Sequence, residues 1–199
     1  MLSSITPLGE RGRGNRWALT LSAYMVGSVA GGCLLGALLG SLGVVLRLIA
    51  RPSSSFVWSS VAAICLLAAI GEVRPRLRIT TTRRQVNEDW LDSYRGWVYG
   101  LGFGFQLGMG IVTIVTSVAV FAMMAVAVLS GSLAGGIVIG ATFGIVRALP
   151  VTAFSRVSDP SGLQRRHRLL QAWAPRARVV AAGVLSAVAV AALVTATIR

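Results

Sequence analysis

Lysine is absent from this chain, histidine occurs once, and only six residues are acidic. None of those acids falls in the interior of a long apolar run, Glu72 sitting at the exit of one. Proton relays in membranes depend on intramembrane carboxylates or histidines, so a proton-coupled mechanism is not expected. Two cysteines, Cys33 and Cys65, are too few for a disulfide framework or a zinc site, and His167 has no second ligand nearby. Paired carboxylates, a nucleophile with a base, and a phosphate-cradling loop are all missing. No enzyme activity, metal or cofactor is therefore expected. A cleavable signal peptide is not expected either, because residues 1–16 are polar and basic and the apolar run behind them is too long.

Apolar sequence is what the chain has in abundance. Hydrophobic residues make up 55% and charged residues 13% of 199, with mean hydropathy +0.75. All nineteen basic residues are arginine, and the formal charge is +13. A nucleic-acid module needs its cations on a solvated face beside readout residues. Here the arginines sit between apolar runs, so nucleic acid is excluded as a partner and the lipid bilayer is expected.

The runs define one membrane domain, 1–199, with five crossings at about 17–46, 56–73, 96–129, 133–152 and 178–198. Between them, Asn87 is placed to cap a short interfacial helix carrying Trp90, Leu91 and Tyr94. Residues 155–178 are basic and are expected to form another surface helix. Sixteen arginines fall on one side of this topology; Arg47, Arg51 and Arg199 fall on the other. Positive charge stays inside, which predicts a multi-pass inner-membrane protein with a cytoplasmic N-terminus and an external C-terminus.

Glycine recurs every fourth residue at Gly32, Gly36 and Gly40, at Gly96, Gly100, Gly104 and Gly108, and at Gly136, Gly140 and Gly144. Such spacing puts each set on one helix face, where a missing side chain lets another backbone approach. The expected fold is all-α, a polytopic membrane helix bundle with glycine-zipper packing. An internal echo supports a degenerate inverted repeat. The segment from Gly27 to Gly40 matches the one from Gly131 to Gly144 at eight of fourteen positions, and the two cross in opposite directions.

Residues 6–43, with Thr6-Pro7-Leu8-Gly9, a basic turn and Ala23-Tyr24-Met25-Val26-Gly27, resemble the second helix of the DsbD/CcdA-type transmembrane family. Residues 100–150, with a Gly-rich start, a Ser-Gly break and a closing Ala148-Leu149-Pro150, resemble the start of that family's second repeat. The resemblance implies a two-repeat, six-helix scaffold and thiol chemistry at Pro-Cys positions. One of those positions falls near Gly110 to Thr113, where no cysteine stands. A first helix is also implied ahead of Thr6-Pro7, where only five residues precede.

Three groups are candidate functional residues. Gln106, Thr113, Thr116 and Ser117 share one face if 96–129 is a single helix, and either line a solute path or bond to a neighbouring helix. Arg147 either marks an anion pathway or snorkels to the interface. Cys33 and Cys65 either form a buried dithiol or pack as small apolar residues, and no cation within two helical turns activates either thiol. These groups predict a transporter-like protein for a small, anionic solute. A non-catalytic subunit, in a homo-oligomer or completed by a partner membrane chain, and a thiol carrier using Cys33 and Cys65 are the alternatives.

Overall fold

The computed structural model describes residues 7–74, 94–110, 117–153, 155 and 160–198. Every regular element among them is helical: α1 Pro7–Gly12, α2 Trp17–Ala50, α3 Ser54–Val73, α4 Gly96–Gly108, α5 Val118–Leu129, α6 Leu133–Thr152 and α7 Pro160–Ile198. Four of them, α2, α3, α6 and α7, are long and apolar enough to cross a membrane. The interfacial helix expected around Asn87 lies outside the described residues.

Two expectations are corrected. The uncharged run 96–129 is not one helix. It is two, α4 and α5, interrupted at Met109, Gly110 and Ser117. Gly110 adopts φ +64, a left-handed conformation that ends a helix cheaply only at glycine. Ser117 is extended and caps α5 by accepting from the Ala119 N–H at 3.2 Å. The second correction concerns residues 155–198. The basic segment and the last apolar segment form one 39-residue helix, with Pro175 inside it.

The chain divides into two compact units. The first comprises Met1–Leu35, Arg83–Ile114 and Gly140–Ala172. Within it α2 and α4 run parallel, and α4 glycines lie on α2 backbone. A Cβ at Gly100 would sit 2.6 Å from the Thr20 carbonyl oxygen, and a Cβ at Gly104 or Gly108 would overlap the carbonyl of Tyr24 or Ser28. Gly27 and Gly31 meet the carbonyls of Leu101 and Phe105 in the same way. On an adjoining face α2 runs antiparallel to α6, where Gly32 meets the Gly140 carbonyl and Gly144 meets that of Ser28. Ser28 Oγ donates to the Gly144 carbonyl at 2.8 Å and is fully buried. Tyr24, Tyr99, Phe103, Ala148 and Val151 form the apolar core of this unit.

The second unit comprises Gly36–Thr82, Val115–Ile139 and Trp173–Arg199. Here too α2 and α6 are antiparallel, with Gly136 against the Gly36 carbonyl and Gly40 against that of Ser132. Gly43 lies on the Val128 carbonyl of α5, and α3 packs on α5. Val61, Ala62 and Cys65 of α3 pack with Ala189 and Ala192 of α7. The expected Ser130-Gly131-Ser132 break is present. Gly131 takes φ +53, its N–H bonds the Val128 carbonyl at 3.0 Å, and Ser132 Oγ accepts from Gly135 N–H at 3.2 Å.

A matched pair of substitutions tests the backbone contacts. Gly104→Ala forces a methyl into the Tyr24 carbonyl and should cost about 1–3 kcal/mol. Gly183 has nothing within 4 Å of a Cβ, so Gly183→Ala in α7 should be neutral or stabilise by up to about 1 kcal/mol. Unfolding of the purified protein by graded dodecyl sulfate, followed by tryptophan fluorescence, reads both. Equal effects at the two positions would contradict the packing described.

Candidate functional site

Gln106 and Ser117 do not lie on one continuous helix. Gln106 lies near the end of α4 in the first unit, and Ser117 caps α5 in the second. Thr113 and Thr116 lie outside the described residues. Gln106 Oε1 is buried without a hydrogen-bond partner, a condition shared among the described residues only by Trp17 Nε1. Arg147 is half-buried on α6, its guanidinium 5.4 Å from the Phe143 ring centroid, a cation–π distance. Its helix continues through Pro150 to Thr152. Both cysteines are free thiols: Cys33 is half-buried in the first unit and Cys65 lies in the apolar core of the second.

Two buried carboxylates were not legible as such. In the first unit, Glu10 is completely buried. Its Oε1 accepts from the Tyr99 hydroxyl and from Arg13 at 3.2 Å, and its Oε2 accepts from Thr20 Oγ1 at 2.8 Å. Asn15 Nδ2 donates to the Tyr99 hydroxyl at 3.4 Å, and Gly96 leaves the room that this cluster fills. A short basic N-terminal segment is thereby fastened to α2 and α4 by one acid. The sequence signal was the isolation of Glu10 among Arg11, Arg13 and Arg16, which reads equally well as a solvated charge run.

In the second unit, Glu72 is 7% exposed at the end of α3. Its Oε1 accepts from Ser117 Oγ at 2.5 Å and from the Ala119 N–H at 3.0 Å. A carboxylate at a helix N-terminus satisfies orphan N–H groups and complements the helix dipole. Ser117 is thus occupied in holding α5 to α3. Its place in the sequence, on an apparently continuous apolar run, gave no sign that a helix starts there.

Loss of the first cluster should be costly. Glu10→Ala leaves the Tyr99 and Thr20 hydroxyls buried without an acceptor and should destabilise by about 2–5 kcal/mol. Glu10→Gln, which keeps an acceptor, should cost less. Glu72→Ala removes a helix-terminus contact and should cost about 1–2 kcal/mol. The same detergent unfolding measurement checks the order of the three.

No family model matches the chain, and no solved structure matches it. It is 33% identical over 181 residues to the methylamine utilization protein MauF of Methylophilus methylotrophus, covering 88% of this chain and 59% of that protein. To MauF of Paracoccus versutus it is 32% identical over 154 residues, covering 75% of this chain and 56% of the relative. To MauF of Paracoccus denitrificans it is 32% identical over 155 residues, with 75% and 55% covered. The chain spans little more than half the length of these curated relatives. Together with the four apolar helices, these matches make the chain an integral membrane protein related, over the matched residues, to MauF.

Proposed function

We propose that the chain is a transporter-like membrane protein that passes a small anionic solute and serves methylamine utilization. The observation that carries this reading is the interruption of the uncharged run 96–129. Helices α4 and α5 have 13 and 12 residues, each short of the roughly 17–25 needed to cross. Non-helical backbone at membrane depth is tolerated only inside protein or along a cavity, and discontinuous helices commonly hold the solute in carriers. Gln106 stands beside the interruption with a carbonyl oxygen that has no protein donor and can accept from the hydration water a solute carries, and Arg147 brings positive charge to the same unit. The interruption at Met109 and Gly110 also coincides with the Pro-Cys position implied by the DsbD/CcdA resemblance.

The inverted repeat is supported by helix contacts. The offset that carries Gly27 to Gly131 turns the pair Ser28–Gly144 into Ser132–Gly40, and the pair Gly32–Gly140 into Gly136–Gly36. Each of those four pairs is a contact of carbonyl on glycine, found within one unit or the other. Two antiparallel helices built from the same repeated segment meet in this way when the copies are related by a two-fold axis.

Swelling of proteoliposomes in iso-osmotic potassium formate or acetate, with valinomycin carrying the counter-ion, tests the solute path. Wild-type protein should speed swelling over protein-free vesicles. Arg147→Gln should slow it by about tenfold, the loss of one charge-assisted hydrogen bond, and Gln106→Leu should slow it by less. Wild-type rates in both variants would remove these residues from the path.

A further inference from the structure

The second unit contains a cavity of about 500 Å³ that the reading above does not use. Its walls are Val61 of α3, Val126 and Leu129 of α5, Ile139 of α6, and Val188 and Ala192 of α7. The hydroxyls that reach it are already committed to backbone. Ser130 Oγ donates to the Ala127 carbonyl at 2.7 Å, Thr195 Oγ1 donates to that of Ala191 at 2.8 Å, and Ser132 Oγ accepts from Gly135. A polar solute would find little to bond there. The trough opens along α7, where Val188 is 41% exposed and Ala191 is also exposed.

One end of the trough is cationic. Arg47 lines it and also lines an adjoining cavity of about 540 Å³, which adds Arg51, Pro52 and Ser54 and shares Trp58. Arg47 is held in place: its guanidinium crosses Gly131 and donates to the Leu129 carbonyl at 3.3 Å, at the end of α5. Arg51 ends α2 at φ +42, a left-handed position where glycine would be relaxed and an arginine is strained. Both guanidinium groups are on exposed residues. Among the described residues of this unit the only carboxylate is Glu72, at the opposite end of α3 and already bonded to Ser117 and Ala119. Among the described residues, therefore, the positive end of the trough has no internal counter-charge.

We propose that this trough seats an anionic phospholipid, with one acyl chain along α7 and the phosphate on Arg47 and Arg51. The chemistry of the two ends selects this occupant. An alkyl chain suits walls whose polar groups are spent, and paired arginines at a membrane surface hold phosphate by charge and by forked hydrogen bonds. A zwitterionic lipid fills the trough equally well but neutralises less of the charge.

The full chain, delipidated in detergent, is tested by native mass spectrometry with phosphatidylglycerol and phosphatidylcholine of identical chains. Wild type should retain the phosphatidylglycerol preferentially. Arg47→Gln and Arg51→Gln should each lower that preference by about fivefold, whereas Arg11→Gln, an exposed arginine of the first unit, should not. Arg51→Gly relieves the left-handed position and should fold at least as stably as wild type while losing the same preference, which separates lipid binding from misfolding. Ala191→Trp fills the trough from an exposed position and should reduce retention of both lipids. Equal retention of the two lipids by wild type, an equal loss in Arg11→Gln, or displacement of phosphatidylglycerol by glycerol phosphate at the same concentration would each overturn the proposal.

Discussion

Backbone-to-backbone contact along α2 is the constraint on which the rest of the structure depends. Lipid tails are as apolar as leucine, so burying leucine between helices gains little in a bilayer, and close van der Waals approach must hold the helices instead. Helix α2 meets α4 and α6 where glycines leave carbonyl oxygens uncovered. At Gly27, Gly31 and Gly32 on one helix and Gly104, Gly108 and Gly144 on its neighbours, a single methyl would collide with backbone. The large side chains of α2, such as Leu38, Leu48 and Ile49, are consequently left for the lipid.

Glycine contacts bring helices together but fix neither end of a helix. That role falls to the two carboxylates. Glu10 gathers three donors, from Tyr99, Thr20 and Arg13, and Glu72 gathers a hydroxyl and a helix-terminal N–H. In surroundings of low dielectric, such groups hold tightly when every partner is present and are costly when one is lost. They are also specific in a way that glycine stripes are not, since a stripe slid by four residues would pack almost as well. A short acid-poor chain has few such devices, and Glu72 lies at a helix end, where orphan backbone groups need partners.

The sequence was legible where one physical effect dominates. Long uncharged runs forecast the apolar helices α2, α3 and α6, and glycine spacing marked the faces on which helices approach. The Ser130-Gly131-Ser132 break was also readable, because a glycine between serines ends one helix and caps the next. The interruption after Gly108 was not. Gly110 is one more glycine in a stretch with glycine at every fourth position, and Ser117 resembles an ordinary intramembrane hydroxyl until Glu72, forty-five residues earlier, is placed beside it. The expected Gln106–Ser117 face failed for the same reason.

The chain by itself determined that it lives in a membrane, that it is helical, and which faces are bare, because these follow from composition and from the helical period. Tertiary structure decided what the few polar groups do. Whether Glu10 is solvated or buried, whether Ser117 faces a path or caps a helix, and whether Arg47 stands at the end of an apolar trough all depend on partners distant in sequence. No local pattern encodes such partners, because a hydrogen bond is set by the two groups that meet and not by the residues beside either one.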